Sequence, residues 1–334
     1  MEAYVERLFS EDIIAKGKQL FGVGGEWKKL GDFESFIFSG NLESTGSACI
    51  LRYTHSSHRS AKDVLAEVEW VSYLKEKGAR VPEHYYSINH NLTEEIQAED
   101  GSYFIIACYE KFDGSRVKWM EIEDEGNWTI VEEWGRTIGQ LHRITKDYSP
   151  ISDLKRLSWR DEELLQTEKY VESPVPEVIQ YRDLVLSQLE ELPVNQDVYG
   201  LIHSDIHTGN FLIENGKINV FDFDDCSYHW FASDIAIALY YSILSRDFQK
   251  SDDREQIAKK FLDHFLKGYE TENHLPESAL ETIPVFLRLR DIVLYAVLQK
   301  KWDLNSLDEH QTTFYNMIES RVLSQTPIVQ VSFR

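Results

Sequence analysis

Leu201–Ala236 reads LIHSDIHTGNFLIENGKINVFDFDDCSYHWFASDIA and gathers His203, Asp205, His207, Asn210, Asp222, Asp224, Asp225 and Asp234 into one segment. Asn215-Gly216 stands between the apolar runs Phe211–Ile213 and Ile218–Phe221. That pair predicts a two-residue hairpin, because both central residues of such a turn need positive φ. A tight hairpin lets carboxylates and an amide on its two flanks converge on one point. Asn210 and Asp222 then supply two oxygen ligands of the kind Mg²⁺ takes beside phosphate oxygens and water. Asp205, held apart from the metal, can accept a proton from a hydroxyl nucleophile. Those are the needs of phosphoryl transfer, which is mostly positioning and charge neutralisation. The same residues allow a rival. His203-Ser204-Asp205-Ile206-His207 on an extended strand would put three ligand-type side chains on one face, as in a metallohydrolase. That reading leaves Asn210, the hairpin and Asp222 without a role.

Upstream, the first hundred residues read as three strands, a helix and further strands. Trp27–Leu30, Phe36–Ser39 and Ser47–Tyr53 are rich in aromatic and β-branched residues, with breaks expected at Gly31-Asp32 and Gly40-Asn41. Lys62–Lys77 predicts a helix, with Val64, Leu65, Val68, Val71 and Leu74 near a 3.6 period and Gly78 as its stop. Tyr103–Tyr109 is a continuous apolar run, as in a strand buried on both faces. Gly22-Val23-Gly24-Gly25 precedes the first expected strand instead of following one, which argues against a dinucleotide fingerprint. After Gly114 the pattern turns helical. Trp128–Thr145 carries a stripe of Ile130, Val131, Trp134, Ile138, Leu141 and Ile144, and Glu177–Leu192 aligns Val178, Val185, Leu189 and Leu192. From Ser233 the chain reads as helical to about Ser324. A β-rich lobe and a helical lobe therefore meet near Tyr109–Gly114.

Over 334 residues, 35 Lys and Arg face 57 Asp and Glu, a net charge of −22. Such a chain is a poor partner for nucleic acid or for an anionic membrane surface, which both need clustered Lys and Arg. Cationic or neutral small molecules stay open. Cys49, Cys108 and Cys226 are few and far apart, which predicts reduced thiols and no disulfide framework. The first twenty residues mix charges with apolar groups, and the most apolar stretch, Ile235–Leu244, is shorter than the roughly 20 residues a bilayer needs. A cytoplasmic protein is the expectation. No motif indicates an oligomeric state.

The segment resembles the aminoglycoside phosphotransferase and choline kinase-like superfamily, which shares the protein-kinase fold. Its catalytic loop H-x-D-x-x-x-x-N stands as His203-Ser204-Asp205 through Asn210, its metal-binding Asp after a hairpin as Asp222, and its helix-start Asp as Asp234. The resemblance implies an α+β, bilobal protein kinase-like fold, with a small β-rich N-lobe and a larger helical C-lobe. The lobes would be a nucleotide-binding lobe over 1–109, a linker over 110–114, and a helical lobe with catalytic loop and acceptor site over 115–334. It implies an ATP- and Mg²⁺-dependent kinase acting on a small hydroxylated acceptor. Asp205 would be the catalytic base, Asn210 and Asp222 metal ligands, and His203 and Asp234 supports of the loop. Asp224 would be a further ligand or merely occupy a usual glycine site. Leu30–Ile37, with Gly31 and Ser35, would cover the phosphates, although the full glycine pattern is missing. Arg52 stands where the family usually has a phosphate-binding Lys, and its wider fork changes geometry. Glu67, or Glu69 if the helix is rotated, would pair with it. The carbonyl of Glu110 and the amide of Phe112 would meet adenine. Arg52 and the thin glycine loop also motivate a non-catalytic nucleotide-binding module, against which the joint presence of Asp205, Asn210 and Asp222 argues.

Several residues have plainer readings. Asp225 is a solvated turn residue or part of a pocket wall; with Tyr228 and Trp230 it is a candidate for holding a cationic or zwitterionic acceptor, a carboxylate beside aromatic faces. His142 is expected as a satisfied packing histidine and Glu121–Glu125 as a solvated face. Arg288, Arg290 and Asp291 line the pocket or pair with one another.

Overall fold

Ser10 accepts a hydrogen bond from the amide of Ile13 and Gly22 adopts φ 59°, so a helix the sequence reading passed over is closed at both ends. The structure, a computed structural model, describes residues 2–151, 154–170, 175–245 and 253–333. Helices α1 (Ala3–Leu8) and α2 (Glu11–Phe21) precede strands β1 (Val23–Gly31), β2 (Ser35–Leu42) and β3 (Ala48–His55). Next come α3 (Ala61–Glu76), β4 (His84–Tyr85), β5 (Thr93–Gln97) and β6 (Tyr103–Glu110). Helices α4 (Trp119–Asp124), α5 (Trp128–Thr145) and α6 (Pro176–Glu190) lead to β7 (Tyr199–Ile202), β8 (Phe211–Glu214), β9 (Lys217–Val220) and β10 (Ser227–Trp230). The chain ends in α7 (Phe231–Leu244), α8 (Arg254–Tyr269), α9 (Glu277–Leu280), α10 (Ile283–Lys301) and α11 (Glu309–Ser324). The expected helical run from Ser233 includes residues 246–252, which lie outside the described residues.

The chain forms two compact units: Met1–Ser115 with Asp147–Arg156 and Leu212–Asp224, and Arg116–Lys146 with Leu157–Phe211 and Asp225–Arg334. Two segments that a single cut at 110–114 assigns to the helical lobe thus belong to the first unit. In that unit an antiparallel sheet runs β1-β2-β3-β6-β4, with β5 also on β6. One face is covered by α1 and α2, where the Phe9 ring stacks on Phe36 at 3.8 Å. Two details differ from expectation. Gly24 and Gly25 lie inside β1, so the glycine cluster follows a helix and joins a strand. Gly40-Asn41 lies inside β2, and the turn comes later, at Gly46 with φ 73°. A Cβ on Gly40 would come within 2.6 Å of the Val23 side chain, so this glycine marks a close approach of neighbouring strands.

In the second unit α5 and α8 pack through glycines. A Cβ on Gly139 would fall 2.6 Å from the carbonyl oxygen of Tyr269, and Gly135 and Gly268 face the opposite backbone even more tightly. Strands β10 and β7 pair antiparallel, Ser227 opposite Ile202 and Trp230 opposite Tyr199. Among the described residues no helix is long and apolar enough to cross a membrane.

Candidate active site

The strand ends at Ile202, and Ser204 turns the chain with φ 68°. The alternation required by the metallohydrolase reading is therefore lost, because His203, Asp205 and His207 do not lie on an extended strand. Asp234, at the start of α7, holds the turn: its carboxylate accepts the amides of His203 at 3.1 Å and Ser204 at 2.8 Å. Asp234 is fully buried, and a buried charge needs such partners. His142 supplies another. It is stacked on Phe231, contacts Asp234 through Nε2 at 3.1 Å and meets the Tyr269 hydroxyl through Nδ1 at 2.8 Å. Burial lowers its pKa, so it sits there as a packing histidine with both nitrogens engaged.

Beyond the turn, the side-chain amide of Asn210 donates to the Asp205 carbonyl at 2.9 Å and to its carboxylate at 3.1 Å. The Asn210 carbonyl oxygen is left as the acceptor end. Arg290, from α10, donates to the other carboxylate oxygen of Asp205 at 2.6 Å, and His207 Nε2 stands 3.3 Å from the first. Burial opposes the charge on Asp205, but Arg290, His207 and His203 outweigh it and hold the carboxyl well below the usual carboxylate range. Arg290 also bonds the Tyr241 hydroxyl. Arg288 and Asp291 go elsewhere: Arg288 donates to Gln188, and Asp291 accepts from Tyr240 and Arg321. The three residues neither pair with one another nor share one role.

A cavity of about 60 Å³ lies in this second unit, lined by Trp159, Glu162, Ser204, His229, Phe286 and Arg290 among others. The three acceptor candidates do not line it. Side chains of a strand alternate between faces. Ser227 and His229 of β10 line the cavity, whereas Tyr228 and Trp230 do not, although the Trp230 ring packs on its walls, 5.4 Å from Trp159 and 6.0 Å from Phe286. Trp230 is buried, with its indole N–H on the Pro193 carbonyl at 2.8 Å. Tyr228 is half-buried, its backbone tied to Leu157 and to the Tyr199 hydroxyl. Asp225 is exposed, and its charge raises the pKa of Arg290.

The first unit holds the rest of the expected site. Arg52 is buried and bonds Glu67 through both ends of its fork, at 2.8 and 2.6 Å. Glu67 faces inward from α3, and Glu69 is not the partner. Asp224 sits in a cationic nest: His58 Nε2 lies 2.8 Å and Arg59 Nε 3.4 Å from one carboxylate oxygen, and Arg52 lies 3.9 Å from the other. Burial works against its charge, but Arg59, His58 and Arg52 hold its carboxyl well below the ordinary range. Asp222 is exposed, at φ 67°. Asn215 and Gly216 adopt φ 52° and 73°, the hairpin geometry expected of them. Ser35 is spent on the Thr54 hydroxyl at 2.8 Å, and a Cβ on Gly31 would meet open space. Glu110 accepts from Lys75 at 2.8 Å, and that ammonium stands 5.9 Å over the ring of Phe112. Sequence reasoning missed His58, Arg59, Tyr241, Glu162 and a specific role for Arg290, and it named His207 only as a ligand of the metallohydrolase reading. Arg290 lies 85 residues from its partner and carries no local signal.

Asn210 and Asp222 offer oxygen donors without sulfur or imidazole, the chemistry suited to a hard divalent cation. Among the described residues no cluster of three His, Cys, Asp or Glu could hold a metal.

A family model described as "Phosphotransferase enzyme family" matches residues 41–277. The amicoumacin kinase of Bacillus subtilis (strain 168) is 34% identical over 334 residues, covering 98% of this chain and 97% of its own. A solved amicoumacin kinase in complex with AMP-PNP, Ca²⁺ and Ami superposes with a TM-score of 0.92 at 34% identity, over 100% of this chain and 99% of that one. An aminopropanol kinase shares the fold at 19% identity, with a TM-score of 0.74 over 95% and 98% of the two chains.

Proposed function

This chain belongs to the phosphotransferase enzyme family and is a small-molecule phosphotransferase of kinase-like fold; from that premise we propose that it transfers the γ-phosphate of Mg·ATP to a hydroxyl of a small cationic or zwitterionic acceptor. The observation that carries the reading is Asp205, an ionised carboxylate fixed by Asn210 and Arg290 on a loop whose backbone Asp234 holds. The acceptor hydroxyl donates to Asp205, its oxygen attacks the γ-phosphorus, the bond from that phosphorus to the β–γ bridging oxygen breaks, and the proton passes to the carboxylate. Asn210 and Asp222 would hold the divalent ion, which when bound neutralises phosphate charge. Asp224 acts less as a ligand than as the anion that gathers Arg52, His58 and Arg59, with Arg52 serving the phosphates. The backbone at Glu110 and Phe112 serves adenine, and residues around Gly31 and Ser35 lie over the phosphates through their backbone.

For the acceptor, the cavity beside Ser204 and Arg290 replaces the cluster of Asp225, Tyr228 and Trp230. Its carboxylate is Glu162 and its aromatic walls are Trp159 and Phe286, a combination that suits an ammonium group. The net charge of −22 favours entry of a cation in a salt-dependent way. A Mg·ATP turnover screen tests this, across amicoumacin, aminoglycosides, amino alcohols, homoserine, neutral sugars and a Ser/Thr-containing protein. Turnover of aminated acceptors that weakens with salt and with Glu162→Gln is expected. Activity confined to neutral sugars or protein hydroxyls, indifferent to both changes, would overturn the acceptor class.

A further inference from the structure

Helices α7 and α10 meet through two pairs of neighbouring residues. Tyr240 and Tyr241 are consecutive on α7, and Arg290 and Asp291 are consecutive on α10. Arg290 bonds the Tyr241 hydroxyl and donates to Asp205 at 2.6 Å, with the Tyr241 ring 5.0 Å from the guanidinium. Asp291 accepts from the Tyr240 hydroxyl at 2.7 Å. Arg321, from α11, closes this second pair. Its Nε donates to Asp291 at 3.0 Å, and its Nη2 lies 2.8 Å from the same carboxylate and 3.3 Å from the Tyr240 oxygen. The two pairs differ in burial. Arg290 and Asp205 keep 18% and 20% of their side-chain surface, whereas Arg321 and Asp291 keep 9% and 2%.

We infer that Tyr240, Asp291 and Arg321 are positioning residues for the reaction: they set α10 on α7 so that Arg290 meets Asp205, and through them α11 acts on the catalytic loop. The inference rests on the role proposed above for Asp205. Consecutive residues of a helix point about 100° apart, so both pairs form together at only one rotation of α10 against α7. The contact of Arg290 with Asp205 does not choose that rotation by itself, because water reaches it and ion pairs open to water are weak. The interior network is shielded from water. Hydrogen bonds to a charge are strong there, and a carboxylate left without partners is costly. The interior network therefore selects the setting of the helices, and the partly exposed pair follows it.

Removing the Arg321 cation outright would leave Asp291 buried without its counter-ion and endanger folding, so gentler variants carry the test. Tyr240→Phe deletes one hydroxyl and keeps the ring and the ion pair. Arg321→Lys keeps the charge but not the fork. On the full chain with Mg·ATP and amicoumacin, each should lower kcat by about 10- to 100-fold, the cost of displacing a working group by about 1 Å, with the KM for ATP unchanged. In an Arg290→Lys background the same substitutions should cost less than about threefold, because a flexible ammonium adjusts without help from the helices. A second measurement needs no acceptor. The Nε–H of Arg290 is buried, so its nitrogen-15 resonance, identified by its absence in Arg290→Lys, should be sharp in the parent chain and broaden in Tyr240→Phe and Arg321→Lys. Thermal midpoints confirm that the variants are folded at the assay temperature. A broadened resonance in the variants, with no transfer to amicoumacin by the parent chain, would support the positioning and count against that acceptor. An Arg290 resonance absent from the parent or unchanged in the variants, unchanged turnover, or an equal loss of turnover in both backgrounds overturns the inference.

Discussion

Asp205 and Asp222 have similar chemistry and different surroundings, and the roles proposed for them differ accordingly. Asp205 is fixed by Asn210, His207 and Arg290, whereas Asp222 is exposed, at φ 67°. Asp205→Asn should lower turnover by about 10²–10⁴-fold, the range of general-base contributions, while calorimetric ATP affinity survives. Asp222→Asn should instead weaken nucleotide binding when Mg²⁺ is present and leave metal-free binding alone. Near-normal phosphorylation by Asp205→Asn would remove its assignment. Arg52 makes a different case, because its pair with Glu67 is buried. A buried ion pair is weak support for a stabilising role, but breaking one by removing a partner costs about 3–5 kcal/mol. Arg52→Ala should therefore lower both stability, read by denaturant titration, and ATP affinity, read on the folded protein. Loss of stability with unchanged ATP affinity would make Arg52 structural only.

At the scale of elements, periodicity was a good guide wherever an element was long. Trp128–Thr145 is helical over the span its apolar stripe predicts, and α3 runs within a residue of its expected ends. Short elements escaped. Strand β10 is four residues long, too few to show alternation, so the sequence reading had no signal for which of its residues line the cavity. Helix α2 carried cap signals at Ser10 and Gly22 that the sequence reading did not use. The glycines of α5 and α8 have no local explanation at all, since their cause is a neighbouring backbone. Gly135→Ala should force those helices apart and destabilise the protein, although alanine is the better helix former by about 1 kcal/mol. A fall in the thermal midpoint checks this. A rise would mean that the approach is looser than the packing indicates.

For the whole molecule, two buried histidines set a dependence on pH. Burial, aided by Arg52 in the first case, pushes His84 down to about 3, and burial does the same for His229. In the unfolded chain both would titrate near 6.5. As pH falls below about 6.5 the unfolded chain binds protons that the folded one refuses until about 3. Their contribution is complete above that window and is lost through it, at up to about 1.4 kcal/mol per pH unit for each histidine. Denaturant midpoints between about pH 7 and pH 4 should fall, and a His84→Phe, His229→Phe double variant should fall less steeply. Equal slopes would show that these histidines carry no such linkage.

The sequence by itself determined the change from a β-rich to a helical part, the Asn215-Gly216 turn, and the place of the loop from His203 to Asn210 with its supporting Asp234. Each depends on residues close in the chain, through backbone preference, periodicity or fixed spacing, and the family is written in the same local marks. Only the tertiary structure decided which side chains surround them. Arg290 reaches Asp205 from α10, His58 and Arg59 close on Asp224, and Glu162 replaces Asp225 beside the cavity. These partners are brought together by packing of distant elements, and a single arginine or glutamate in an acidic chain looks like any solvated charge. The residues of the loop are local in sequence, whereas their electrostatic setting and the cavity beside Ser204 and Arg290 are products of the fold.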